Sequence, residues 1–335
     1  MPRQDAATQP IGRAANVLVT AAGRRTSLVR AFSEAAHARG ARAYAADVDG
    51  LAPALFLADD AVRILRTDDA CYVNDLLETV VRHAVRLMIP TIDSDLPILA
   101  RNQSLFAKVG CRVAISAESF IAITRDKHRT GLAFDAAGIR VPRSWLPPLP
   151  ALTELPAQVF VKPRAGSASQ DTYKINREEL EWVLRLVPDP IVQEVLAGPE
   201  ITIDALLDFD GRPIHFVPRR RIRTLGGESV QGVTLEHDRT FEAWVEDVLA
   251  RCTALGAAGP LTLQAFLTLD GPVLSEINAR FGGGFPLARA AGGDYPSWLL
   301  DMITGVDVNP RLRAYEPGLY MTRYNVEHFT RQPKW

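Results

Sequence analysis

The strongest constraint on the fold is an alternation in the first 120 residues between short apolar, β-branched runs and stretches with helical spacing. Residues 17–20 read as a strand that gives way at Ala21, Ala22, Gly23, Arg24 and Arg25. Leu28, Phe32, Ala35 and Ala36 then recur at helical spacing until Gly40. Residues 43–47 read as a second strand and residues 86–90 as a later one, with Leu76, Leu77, Val80, Val81, Ala84 and Val85 at helical spacing between them. Such alternation predicts a parallel sheet flanked by helices. Ligands at these sheets bind beyond the carboxyl ends of strands. The loops that begin at Ala21, Asp47 and Thr91 are therefore the candidates for function.

The rest of the chain follows a different pattern. Residues 142–156 contain five prolines and read as an extended linker. Residues 159–163 form a strand that ends in Lys162 and Pro163, and residues 191–195 form another, followed by a turn at Gly198 and Pro199. Two hairpins are expected, one turning at Asp210-Gly211 and one at Asp270-Gly271, with an amphipathic helix at 241–255 between them. This half is predicted to be mixed α+β. Residues 224–232 read as a mobile loop, and residues 1–15, polar with scattered arginines, as a disordered lead-in.

Composition excludes several classes. The 335 residues carry 38 Lys and Arg against 39 Asp and Glu, a net charge of −1, so no basic surface points to nucleic acid. The three cysteines (Cys71, Cys111 and Cys252) show neither zinc spacing nor a disulfide framework and are expected as buried or half-buried thiols. No apolar run reaches the ~20 residues that span a bilayer, and a cytoplasmic location is expected.

The motif richest in chemistry lies near the C-terminal end. Glu276, Asn278 and Arg280 occupy alternate positions before Gly282, Gly283 and Gly284. In an extended strand they share one face, and Ile277 and Ala279 face a core. A carboxylate and an amide oxygen beside a guanidinium suit Mg²⁺ and phosphate held together. Gln264, on the partner strand of the same hairpin, extends that face. Lys162 precedes Gly166, Ser167, Ala168, Ser169 and Gln170, small residues whose backbone N–H groups suit phosphate, although no Walker A ending is present. Asp126 and Lys127 open a helix, and Glu200 stands at the start of a strand, where it suits ribose hydroxyls. Arg219, Arg221 and Arg223 alternate along one strand and share a face.

In this order and spacing, the motifs resemble those of the ATP-grasp superfamily, in the branch similar to the carbamoyl-phosphate-synthase large chain and its carboxylate–amine ligase relatives. The resemblance covers about 124–309. It implies a Rossmann-like parallel α/β N-terminal domain at 16–120 and an α+β ATP-grasp domain at 121–310. That domain would comprise a lid at about 124–195 and a C-terminal subdomain at about 196–310, with a tail at 311–335. It also implies roles: Lys127 and Lys162 on the ATP phosphates, with Ser167 and Ser169 in the phosphate loop; Gln193, Glu194, Val195 and Leu196 reading adenine; Glu200 on ribose. Gln264, Glu276 and Asn278 would hold Mg²⁺, or Mn²⁺ in its place, with Gln264 also counted in the nucleotide site. Arg280, Arg219 and Arg221 would stabilise the transferred phosphoryl group. Ala168 departs from the family's second glycine in the phosphate loop and implies an altered loop geometry.

The implied reaction activates a small carboxylic acid as an acyl phosphate and transfers it to an amine, with release of ADP and phosphate. Small carboxylate and amine substrates follow, an amino acid among them, with no nucleic-acid or membrane partner and with a homodimer left open. Arg24, Arg25, Asp93, Ser94, Asp95 and Gly283 are the candidates for contact with these substrates. The alternatives are another acceptor, thiol or hydroxyl, or a non-catalytic nucleotide-binding protein. A nicotinamide-dependent oxidoreductase would need Gly-x-Gly-x-x-Gly after the first strand, and residues 21–25 do not supply it.

Overall fold

The structure is a computed structural model and describes residues 14–166, 171–225 and 228–335. The first sheet contains β1 (Asn16–Thr20), β2 (Ala43–Asp47), β3 (Asp60–Arg63), β4 (Val85–Pro90) and β5 (Arg112–Val113). All its pairings are parallel, in the order β3-β2-β1-β4-β5. The order reverses between β1 and β4, which places the crevice of the sheet between the loops that leave those two strands. β1 and β2 are apolar and almost wholly buried, as a sheet covered on both faces requires. Ala15 is 1% exposed and packs in this core, so the lead-in reading is corrected there; residues 1–13 lie outside the described residues.

The second sheet contains β6 (Ser144–Trp145), β7 (Gln158–Pro163), β8 (Tyr173–Asn176) and β9 (Pro190–Glu194), in the order β6-β9-β7-β8 and wholly antiparallel. The proline-rich stretch is thus more than a linker, because Ser144 and Trp145 pair with β9 as an edge strand. An edge is where a strand next to prolines belongs.

The third sheet contains β10 (Glu200–Leu207), β11 (Pro213–Leu225), β12 (Glu228–Thr234), β13 (Gly259–Thr268), β14 (Gly271–Asn278) and β15 (Tyr320–Thr322), in the order β14-β13-β10-β11-β12-β15. Both expected hairpins form, and the helix Arg239–Ala254 lies between them. The loop expected at 224–232 is corrected: β11 runs on to Leu225, and β12 pairs with it from Glu228. Pairing with β11 on one side and β15 on the other makes this run a strand. Residues 226–227 lie outside the described residues.

Two apolar cores result. One runs continuously from the first sheet into the third, from Val17, Leu18 and Phe32 through to Ile203, Leu263 and Ile277. The other is small and belongs to the second sheet, built from Leu155, Val159, Val161, Leu180, Val183, Val187 and Val192. Two units that share a core move as one body. A unit with its own small core is the one that can swing.

Cys111 and Cys252 are buried, which raises both thiols' pKa values, that of Cys111 to about 12. Cys71 is exposed, against expectation.

Candidate functional site

The crevice loops meet the polar face of the third sheet. Along β10, Ile201, Ile203 and Ala205 are fully buried on one side, and Glu200, Thr202 and Asp204 point to the other. The register sets Thr202 opposite both Arg219 of β11 and Gln264 of β13. Gln264 in turn faces Glu276, and Thr262 faces Asn278. A cavity of about 240 Å³ is lined by Thr202, Arg219, Arg221, Gln264, Glu276, Asn278 and Arg280 from this face, and by Arg24, Arg25 and Asp93 from the crevice.

Within it the charged groups are ordered by pairing. Arg280 makes a two-pronged ion pair with Asp93, Nε to Oδ1 at 2.9 Å and Nη2 to Oδ2 at 2.6 Å, and Nη2 also donates to Asn278 Oδ1 at 3.2 Å. Asn278 Nδ2 donates to Glu276 Oε1 at 3.2 Å, so the Asn278 amide bridges the Glu276 carboxylate and the Arg280 guanidinium. Arg219 Nε donates to Asp204 Oδ2 at 2.7 Å, with both side chains at most 3% exposed. Arg219 Nη1, Asp204 Oδ1 and the Thr202 hydroxyl are buried without a partner. Thr202 and Arg219 also line the cavity, and buried polar atoms without a partner are rare in folded proteins. Arg221 pairs with Glu200.

Gly284 explains the third glycine of the Gly282–Gly284 run. A Cβ there would run into the Arg219 guanidinium, so the backbone passes flat against it.

Of the expected phosphate lysines, Lys127 opens the helix Lys127–Ala136 and Lys162 lies on β7 of the second sheet. Lys127 Nζ donates to the Gly166 carbonyl at 2.9 Å, and Lys127, Gly166, Glu276 and Asn278 line a common small cavity. Lys162 Nζ lies 5.5 Å from the Phe160 ring centroid. Burial brings its pKa down to about 8, and neighbouring Lys127 pushes the same way against Glu276 and Glu200. Asp126 caps its helix by accepting from the His128 and Arg129 backbone N–H groups, and Arg164 grips it at 2.9 and 2.7 Å. Burial alone would raise the Asp126 pKa; these bonds hold it below the usual carboxylate range.

Not every candidate converges. Ser167 and Ser169 lie outside the described residues. Gln193 is buried in β9; Glu194 accepts from the Arg143 backbone at 2.9 Å and from its guanidinium at 3.1 Å, with Val195 and Leu196 half-buried beyond it. Asp95 is fully buried in the first sheet's core, where its Oδ2 accepts from the Thr20 hydroxyl at 3.3 Å. Burial raises its pKa to about 6. Ser94 caps nothing through its side chain and lies beside Asp93. Gly283 lines the cavity.

Sequence reasoning passed over Thr202, Asp204 and Thr262. Their signal was available as polar residues at alternate positions in otherwise apolar strands. It also passed over the tail, where Thr322, Arg323, Tyr324 and Asn325 line a second, larger cavity.

Among the described residues no cluster of three or more His, Cys, Asp or Glu is placed to hold a metal ion. The set Gln264, Glu276 and Asn278 has one carboxylate and two amides. Mg²⁺ commonly takes one or two carboxylates and completes its shell with water and substrate phosphates, so the set fits that ion beside a nucleotide. No helix is long and apolar enough to cross a membrane.

An open parallel sheet, an antiparallel sheet with its own core and a polar-faced sheet with a carboxylate–amide pair and arginines make up the arrangement of the ATP-grasp fold. Residues 187–326 match the family described as ATP-grasp in the biosynthetic pathway with Ter operon, and residues 17–114 match the PylC-like N-terminal domain. The chain has the ATP-grasp fold, and its residues 187–326 match an ATP-grasp family. It is 30% identical over 179 residues to a D-alanine–D-alanine ligase of Mycolicibacterium smegmatis, a match that covers 43% of this chain and 46% of that one. The chain thus spans about half the length of the curated relatives it matches. In fold it is similar to the biotin carboxylase domain of Hydrogenobacter thermophilus 2-oxoglutarate carboxylase (TM-score 0.73, 17% identity, 91% of this chain and 73% of that one). It is also similar to the L-amino acid ligase from Bacillus licheniformis (TM-score 0.67, 18% identity, 87% and 74%). A third likeness is to the N5-carboxyaminoimidazole synthetase of Staphylococcus aureus complexed with ADP (TM-score 0.71, 15% identity, 88% and 79%).

Proposed function

We propose that the protein is an ATP-dependent carboxylate–amine ligase. The observation that carries this reading is the inner cavity, which Arg219, Arg221, Glu276, Asn278 and the Asp93–Arg280 pair line together. Buried donors fixed in advance stabilise charge that develops in a transition state.

A carboxylate oxygen of the acid attacks the γ-phosphorus of ATP, and ADP leaves. The amine nitrogen then attacks the acyl phosphate carbon, phosphate leaves, and the nitrogen loses a proton to give the amide. Lys127 and Lys162 hold the α- and β-phosphates, with residues 166–170 as the phosphate loop. Gln193, Glu194, Val195 and Leu196 read adenine, and Glu200 binds ribose. Arg219, Arg221 and Arg280 bind the equatorial oxygens of the group in transfer, and Asp93 orients Arg280. Gln264, Glu276 and Asn278 would hold Mg²⁺, which when bound neutralises phosphate charge; the same oxygen set suits Mn²⁺. In this class of reaction, positioning and charge neutralisation supply most of the catalysis.

The similarities to a D-alanine–D-alanine ligase and an L-amino acid ligase support an amino acid as one substrate and an amine as the acceptor. Residues 16–120 act as the pre-ATP-grasp domain and 121–310 as the ATP-grasp domain. The three unpaired cysteines and the need for ATP support the cytoplasm as the location.

The test is Mg²⁺-dependent ADP release across a panel of acids with an amino acid as amine, with intact-mass detection of the amide. Glu276→Ala is expected to lower ADP release at least a hundredfold, as loss of a charge-stabilising group does. Release at the wild-type rate would sink the assignment.

A further inference from the structure

The inner cavity lies between two others. On one side it shares Asp93, Glu276 and Asn278 with the small cavity that Lys127 and Gly166 line. On the other it shares Arg24, Arg25, Gly282 and Gly283 with a cavity of about 560 Å³, within the size range of small-molecule sites. In the ligase reading, the nucleotide phosphates lie on the lysine side and the group in transfer lies in the middle. The outer cavity is then the space into which a substrate other than ATP extends. Its wall sets Ser27, Gln231 and Asn325 beside Leu28, Phe285 and Pro286, which suits a small molecule with both polar and apolar parts.

Part of that wall comes from the segment that follows the last strand: Thr322, Arg323, Tyr324 and Asn325 line the cavity. The segment is tied at both ends. At the near end β15 pairs with β12, the Arg323 backbone N–H donates to the Val230 carbonyl at 2.9 Å, and the Arg323 guanidinium donates to the Gly283 carbonyl. At the far end it lies against the loops that leave β2. His328 stacks on Phe56 with ring centroids 4.3 Å apart, the Lys334 ammonium stands 5.2 Å from the same ring centroid, and the Lys334 backbone N–H donates to the Gly50 carbonyl at 3.0 Å. Gly50 is fitted to this contact, since a Cβ there would lie 3.0 to 3.2 Å from backbone and indole atoms of Trp335. Residues 320–335 therefore bridge the third sheet to the first along one side of the cavity. Between the ties, Tyr324, Val326 and Phe329 are exposed. A segment that buries little apolar surface between its ties opens locally at low cost.

We propose that residues 320–335 are a strap that retains an amino acid in the outer cavity, releasing its hold on Gly50 and Phe56 to admit the molecule and closing over it. The proposal rests on the ligase reading for the order of the three cavities, and it adds the element that holds the substrate.

The experiment measures binding of the twenty common amino acids and D-alanine to the protein loaded with MgADP by calorimetry, and hydrogen exchange in residues 323–335 with and without the tightest binder. At least one amino acid is expected to saturate the protein at millimolar concentration or below and to slow exchange in that segment. Gly50→Leu crowds Trp335 and His328→Ala removes the ring stack, and neither residue lines the cavity. Each variant is expected to weaken amino-acid binding about threefold to tenfold, the worth of an aromatic pair, and to leave MgATP affinity unchanged. The proposal is overturned if no amino acid saturates the protein, if the bound amino acid leaves exchange in 323–335 as it was, or if both variants bind it as the wild type does. Equal losses of amino-acid and MgATP affinity would overturn it as well, because they mark a merely structural staple. If ADP release depends on an amino acid whose KM is the same in the wild type and both variants, the ligase reading stands and the strap falls. If strap-dependent amino-acid binding persists and no acid promotes ADP release, the strap stands and the ligase reading falls.

Discussion

Lys162 shows how one side chain can report on ligand occupancy. Burial and the neighbouring Lys127 bring its pKa to about 8, so in the nucleotide-free protein it loses its charge as the pH rises past about 8. An ATP phosphate beside it restores the charged form, and above pH 8 binding must therefore take up a proton. Titration in two buffers of different ionisation heat is expected to show uptake approaching one proton near pH 9 and little at pH 7, with ATP affinity falling as pH rises. Lys162→Met removes the uptake. The same shift acts on stability. Between about pH 8 and the unfolded lysine's value near 10.5, the unfolded chain binds more protons, so the nucleotide-free protein gains stability as pH rises through that window. Near it, Arg219 and Asp204 form the most deeply buried ion pair of the site. Such a pair fixes position more than it stabilises, because desolvation offsets much of its attraction.

At the scale of elements, the second sheet has its own small core, and its connection to the third passes through Gly198. Gly198 has φ +128, and a Cβ there would strike the Leu267 carbonyl. Gly198→Ala is expected to cost about 2–4 kcal/mol, since it meets both backbone strain and a clash. Urea unfolding measures this; a change under about 0.5 kcal/mol would show that the turn relaxes freely. The elements near the site were legible unevenly. The alternation of β1, β2 and β4 with helices gave the parallel sheet. Glu276, Asn278 and Arg280 were legible because a strand's period of two shows which residues share a face. β12 was not, because Gly227 and Gly232 flank a short run whose strand state depends on pairing with β11, a contact between chain segments that local propensity does not encode. Asp93 was legible as a loop acid but its partner was not. Arg280 lies 187 residues away, and only the packing of two sheets brings them together.

Across the whole molecule, one apolar core joins the first and third sheets, and the Asp93–Arg280 pair crosses the same junction at its polar edge. Asp93→Ala is therefore expected to change stability by no more than about 1 kcal/mol, the pair being partly solvated, since the core still holds the sheets together. ADP release is expected to fall at least tenfold as Arg280 loses its orientation. Melting temperature and steady-state kinetics separate the two effects. Equal and large losses in both would mean that the bridge is structural. The tail contributes to the same junction. Lys334 N donates to the Gly50 carbonyl at 3.0 Å, and His328 stacks on Phe56 at 4.3 Å between ring centroids. The Asp93–Arg280 bridge also limits how such proteins can be recombined. A chimera that takes its parallel sheet from one relative and its antiparallel sheets from another inherits half a bridge from each parent. It keeps an aligned Arg280 only where the donor supplies an acid at position 93, so recombinants can be sorted at the bench by those two codons before any is expressed.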